Sequence, residues 1–235
     1  MQLLTHLFFL VTIMSFLDPD PQAGIRILRI GTYHQDEVSM EDAGEWFALV
    51  QSGPRFQLRP VRVSVTPVHD EIDEDPESLN GRLVTADATP DPVILLRGDI
   101  FRSREVTAVV AQAHTLALGE AHSLGSAVFS LGVEDTTVIA GQWQYHIRLW
   151  LQQGNVSQPV ATYSGYSDDG KSVNYAAERP PQILWAGDLD GDRRLDFLLD
   201  TSDHYNVEEL TLYLSSQAHG GVLVQASATI RRVGC

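Results

Sequence analysis

Apolar and polar residues alternate with a period of two along most of this chain, the repeat of a half-buried β-strand. Residues 25–30 (IRILRI) show it first, and residues 45–50 give a second strand candidate. Residues 57–65 (QLRPVRVSV) alternate again, with Arg62 and Ser64 on the outer face. Pro60 has no amide N–H, which predicts that the start of this strand is a sheet edge or a strand entry. Two strands are expected within 92–111, and Val106, Thr107, Val109 and Val110 favour strand over helix across 105–118. Further strands are predicted at 128–131, 136–140 and 142–151. In the last, Trp143, Tyr145, Ile147, Leu149 and Leu151 share one face, and Gln142, Gln144, His146, Arg148 and Trp150 share the other. Gln153-Gly154-Asn155 reads as a hairpin turn into 159–163, and Asp168 to Lys171 as another turn. Strands at 183–186, 195–199, 210–214 and 222–230 complete the set.

Many short strands with regular turn signals predict an all-β fold, an antiparallel sandwich or barrel-like arrangement. A propeller would need a repeat of about 40 residues, and the chain has none. A change of character near residue 125 leaves room for two packed β subdomains, 24–125 and 126–235.

Composition narrows the function. Hydrophobic residues make up 43% of the 235 and charged residues 20%, the balance of a chain that folds around a core. The net charge of −15 repels phosphate backbones, so nucleic acid is excluded as a partner. Cys235 is the single cysteine, which rules out an internal disulfide and a thiolate zinc site. The apolar run 7–17 (LFFLVTIMSFL) has the length of a signal-peptide core, followed by Asp18-Pro19-Asp20-Pro21. Residues 1–23 are therefore expected to be a secretory signal, although no basic residue precedes the run and Pro21 stands third from the expected cut after Ala23. A secreted or periplasmic protein with no membrane span after processing follows.

The chemistry concentrates at residues 188–196 (DLDGDRRLD). Calcium takes six to eight oxygens, and alternating carboxylates on one short loop can supply most of them. Asp188, Asp190, Asp192 and Asp196 stand at loop positions 1, 3, 5 and 9, and Arg194 at position 7 would offer its carbonyl. Leu189 and Leu195 are expected to turn into the core and pin the loop, while Gly191 allows the bend. Four carboxylates this close repel one another without a cation, and apolar strands flank them on both sides.

Together with Trp185-Ala186-Gly187 before it and Phe197-Leu198 after it, the loop resembles the FG-GAP/VCBS-type calcium loop of integrin α-chains and secreted bacterial proteins. The resemblance covers about 17 of 235 residues. It implies Ca2+ on Asp188, Asp190, Asp192, the Arg194 carbonyl and Asp196. Arg193 departs from the family's usual glycine at position 6, at a steric cost if that position needs a positive φ. Such loops usually come in arrays, and this chain carries one.

Other constellations are weaker. Asp200, Asp203 and His204 form the one cluster that could serve a secreted hydrolase, and otherwise they shape a turn. Gly165-Tyr166-Ser167-Asp168-Asp169 lacks the second glycine of a nucleophile elbow. His114 and His122 have no carboxylate at metal spacing. The acidic run 69–77 holds six carboxylates and reads as a solvated loop. Arg97-Gly98-Asp99 is too short to imply adhesion. The expected function is a calcium-stabilised binding or structural module for an extracellular or periplasmic ligand, a polysaccharide or a protein. Trp143, Tyr145, Tyr163 and Tyr166 are candidate contacts.

Overall fold

The computed structural model describes residues 24–70 and 72–234. The expected signal segment 1–23 and Cys235 lie outside the described residues. The fold is all-β and its ladders are antiparallel, as the alternation predicts. The first sheet contains β1 (Arg26–Leu28), β2 (Gly31–Tyr33), β3 (Gly44–Ser52), β4 (Arg55–Val68), β5 (Gly81–Ala86), β6 (Ile94–Arg97) and β7 (Arg104–Val106). Its order is β1-β6-β3-β4-β5-β2, with β7 beside β4. The chain then passes through β8 (Ala108–Val110) and β9 (His114–Thr115) into a second sheet. That sheet is a simple meander of β10 (Ala121–Leu124), β11 (Ala127–Ile139), β12 (Gln142–Gln153), β13 (Val156–Ser167) and β14 (Asn174–Tyr175). The third sheet uses β15 (Gln182–Gly187), β16 (Asp196–Asp200), β17 (Val207–Leu214) and β18 (Gln225–Val233). Both β8 and β9 pair with β15, so the first half of the chain supplies part of this sheet.

The third sheet is the middle layer. Alternation along β16 and β17, with a register shift in β15 between Ile183 and Trp185 that sets these two on opposite faces, sends Ile183, Phe197, Leu199 and Tyr213 into one core with Phe129, Ile147 and Leu149 of the second sheet. It sends Trp185, Leu198, Leu210 and Leu212 into another with Leu49, Phe56, Leu58 and Leu96 of the first. A strand covered on both faces reads as a nearly continuous apolar run, and β16 is buried at all five positions. A third cluster, around Trp46, Val61, Val63 and Leu95, fills the opposite side of the first sheet.

The strand predicted at 25–30 is shorter, β1 at Arg26–Leu28, and β2 starts only after its expected end, at Gly31. The strands predicted at 128–131 and 136–140 are one, β11, bent by an irregularity between Val133 and Asp135. Pro60 corrects an expectation too. It lies inside β4, which pairs with β3 from Arg55 to Val63, and so is neither a strand entry nor on an outer strand of the sheet. On the opposite side of β4, β7 pairs with Phe56 to Leu58 and β5 begins at Val63. Pro60 falls in that gap. Two residues on, the Arg62 amide faces the same gap and donates to Asp87 Oδ1 at 2.7 Å. No strand there needs the N–H that proline lacks.

Where β2 and β4 end, His34 Nδ1 meets Asp70 Oδ2 at 2.5 Å. This bond is the main cause of a raised His34 pKa and of a lowered Asp70 pKa. The stabilisation is full between the ordinary values of 3.8 and 6.5. It is lost as pH rises through the raised His34 value, and again as pH falls through the lowered Asp70 value. The unfolding free energy of the wild type minus that of Asp70→Asn should therefore be largest in mildly acidic buffer and shrink above neutrality. Denaturant titrations from pH 4 to pH 9 test this, and a difference independent of pH would refute it.

Candidate metal centre

Residues 188–195 connect β15 to β16, and the two strands meet at the base of the loop, where Gly187 faces Asp196. The loop sits at the end of the middle sheet and is anchored toward both neighbours. Leu189 is fully buried in the core shared with the first sheet. Leu195 packs against the core shared with the second. Both side chains turn inward, as their spacing predicts.

Carboxylates hold the turn's backbone. Gly191 N–H donates to Asp188 Oδ1 at 2.7 Å, Asp192 N–H to Asp190 Oδ1 at 3.2 Å, and Arg194 N–H to Asp192 Oδ1 at 2.8 Å. Each is an aspartate bonding to the amide two or three residues on, the local habit of this side chain. Leu189 N–H closes the loop by donating to Asp196 Oδ2 at 2.7 Å. Arg193 adopts φ +66°, so the position where the family pattern has glycine does require left-handed backbone, and arginine bears the strain.

The structure brings Asp188, Asp190 and Asp196 together: one oxygen from each lies within 4.8 Å of the others. Asp196 is the unusual member. It is fully buried, and burial, reinforced by the Asp190 charge, pushes its pKa up to about 7 against the hydrogen bonds it accepts. Asp192 stands outside this trio and accepts from Ser215 Oγ at 2.8 Å. Arg194 directs its guanidinium away from the carboxylates, to the carbonyls of Ser215 at 3.2 Å and Leu223 at 2.9 Å.

Three neighbours of the loop were not visible in the sequence motif. Ser215 and Ser216 follow β17, whose pairing with β16 (Phe197 opposite Tyr213) brings its end beside Asp196. Ser215 donates its amide to Asp196 Oδ1 at 2.9 Å, its single hydroxyl hydrogen is shared between Asp196 Oδ1 at 2.9 Å and Asp192 Oδ2 at 2.8 Å, and Ser216 Oγ bonds to Asp190. Arg104, from β7, places Nη2 3.2 Å from Asp188 Oδ2. Its Nη1 approaches Gly191, where an added Cβ would stand 2.0 Å from it. The backbone itself asks for glycine there, at φ +95°.

The remaining candidates are not brought together in this way. Asp200 is buried, accepts from Arg179 Nε at 3.1 Å and from the Ser202 amide at 3.0 Å. Asp203 is exposed, 3.9 Å from Arg231, and His204 Nδ1 pairs with Asn206 Oδ1 at 2.5 Å. These contacts shape the turn between β16 and β17 and make no shared cleft of the three side chains. Ser167 is buried and bonds to Asp169 and the Gly170 amide. His114 and His122 contact each other at 3.1 Å. Arg97 stacks on Trp46 and binds the Asp42 carbonyl. Of the four aromatic candidates, Tyr145 and Tyr163 are buried, Tyr166 is partly covered, and Trp143 is 40% exposed.

Among the described residues no helix is long and apolar enough to cross a membrane. Comparisons of the chain with protein-family models, with curated proteins and with solved structures gave no match.

Proposed function

We propose that this is a secreted or periplasmic β protein in which one calcium ion at residues 188–196 staples the middle sheet, and that it serves as a binding or structural module. The observation that carries the reading is the convergence of Asp188, Asp190 and Asp196 to within 4.8 Å. Calcium–oxygen distances of about 2.3 to 2.6 Å allow ligands on opposite sides of the ion to stand about 5 Å apart. A divalent cation there would let all three carboxylates ionise, including the buried Asp196, whose pKa is otherwise raised to about 7. Asp192 and the Arg194 carbonyl are the further oxygens assigned to it. The −15 net charge suits an environment where calcium is abundant.

Calorimetric titration tests the reading. Calcium should bind at one ion per chain, and more tightly than magnesium, because the smaller ion demands near-ideal octahedral geometry. No heat from calcium at millimolar concentration in decalcified protein would overturn it.

A further inference from the structure

A second feature, built on residues other than those of the aspartate loop, concerns arginine. The chain has 16 basic residues against 31 acidic ones, yet three arginines, Arg29, Arg179 and Arg232, line one cleft of about 530 Å3. That volume falls within the range of small-molecule sites, about 300 to 1,000 Å3. Two carboxylates share the cleft. Asp200 neutralises Arg179, and Glu208 is divided between the other two. Its Oε1 takes Arg29 Nη1 at 2.5 Å and its Oε2 takes Arg232 Nη2 at 2.7 Å. One carboxylate between two guanidiniums leaves a positive charge unmatched. A guanidinium has five N–H donors, and Glu208 occupies one on each.

The pair is held in place before any ligand arrives. Tyr33, 3% exposed, bonds through its hydroxyl to both the amide and the carbonyl of Arg29, at 3.1 and 2.9 Å. Arg232 lies over the Tyr33 ring at 5.7 Å. A Cβ added at Gly31 would meet Arg232 Nη1 at 2.8 Å, so glycine makes room for the guanidinium. Glu208 and Arg232 face each other across the β17–β18 ladder. Fixed guanidiniums lose little freedom on binding and match the planar fork of an oxyanion. At the same cleft Tyr205 is 60% exposed, with the His204 ring 4.3 Å away on one side, and it supplies an aromatic surface of the kind on which a sugar can stack.

We propose that this cleft binds an oxyanion carried on a saccharide, either a uronate carboxylate or a sulfate ester, on the donors of Arg29 and Arg232 left over by Glu208. The test is calorimetric titration of the full chain, in calcium-free buffer at low ionic strength, with digalacturonate, galactose 6-sulfate and neutral lactose. Omitting calcium keeps the result independent of the aspartate loop. Both anions should bind at least about tenfold more tightly than lactose, and Arg29→Gln should weaken them about tenfold. Whichever anion binds more tightly names the group recognised. Glu208→Gln should tighten binding several-fold, because it removes the internal competitor and keeps the hydrogen-bonding shape. A purely structural role for the trio would not produce that gain. If Arg29→Gln fails to fold, Glu208→Gln and the loss of affinity with added salt carry the test. Anions binding no better than lactose, or Glu208→Gln weakening them, would overturn the proposal.

Discussion

Phe197→Ala should cost about 3–5 kcal/mol of folding stability, a large share of the roughly 5–15 kcal/mol that holds a domain together. Phe197 opens the inward run of β16 and is fully buried. Its ring stacks on Tyr213 at 4.9 Å and 16°, and meets Phe129 of the second sheet edge-on at 5.1 Å and 90°. Truncation to a methyl group therefore removes both aromatic contacts and opens a cavity between the middle and second sheets. Those neighbours belong to paired strands, so they cannot collapse into the space. Phe197→Leu refills much of it and should cost clearly less. Urea unfolding reads both variants: the midpoint should fall while the slope stays constant. A loss under about 1 kcal/mol for Phe197→Ala would mean that the two sheets are not packed through this residue.

Asp196→Ala is the second large effect, and it separates two duties of one side chain. Asp196 accepts from the amides of Leu189 and Ser215 and from the Ser215 hydroxyl. Without it two buried N–H groups lose their partners, at about 1–3 kcal/mol each. The gain from no longer burying a carboxyl group offsets part of this. The net loss should be about 2–5 kcal/mol in chelator, and larger in calcium, where the binding contribution of about 2.7 kcal/mol is lost as well. Asp190→Ala is the contrast. Its partners, the Asp192 amide and Ser216 Oγ, lie in the more open part of the loop, where water can replace it. In chelator it should cost less than about 1 kcal/mol. Equal losses for the two variants in chelator would remove the distinction between cap and ligand.

The sequence disclosed strands better than partners. Period-two alternation reports which face of a strand is buried, and in β12 it placed Tyr145, Ile147, Leu149 and Leu151 correctly on the inner face. Trp143 continues that face but is 40% exposed, because the β11–β12 hairpin runs on past the core. The sequence placed a strand at 195–199, and the structure buries both faces of its run Phe197-Leu198-Leu199. Nothing local says that the sheet covering one of those faces comes from the first half of the chain, residues 26–106. The same limit applies at the loop. Spacing along the chain found Asp188, Asp190 and Asp196, whereas Arg104 and Ser215 reach them only through strand pairing. The Arg29, Glu208 and Arg232 cluster has no local pattern at all, since Arg29 and Glu208 stand 179 residues apart.

The most direct measurement is a melting curve of the wild type and of the Asp190→Ala/Asp192→Ala double variant, each in millimolar calcium and in chelator. At free calcium about 100 times the dissociation constant, binding adds about 2.7 kcal/mol to the folded state. For a chain of this size that is a rise of about 5–10 °C in the wild type. The double variant should melt at one temperature in both buffers. Equal melting temperatures in all four samples, or the same calcium shift in both proteins, would contradict a calcium staple at residues 188–196.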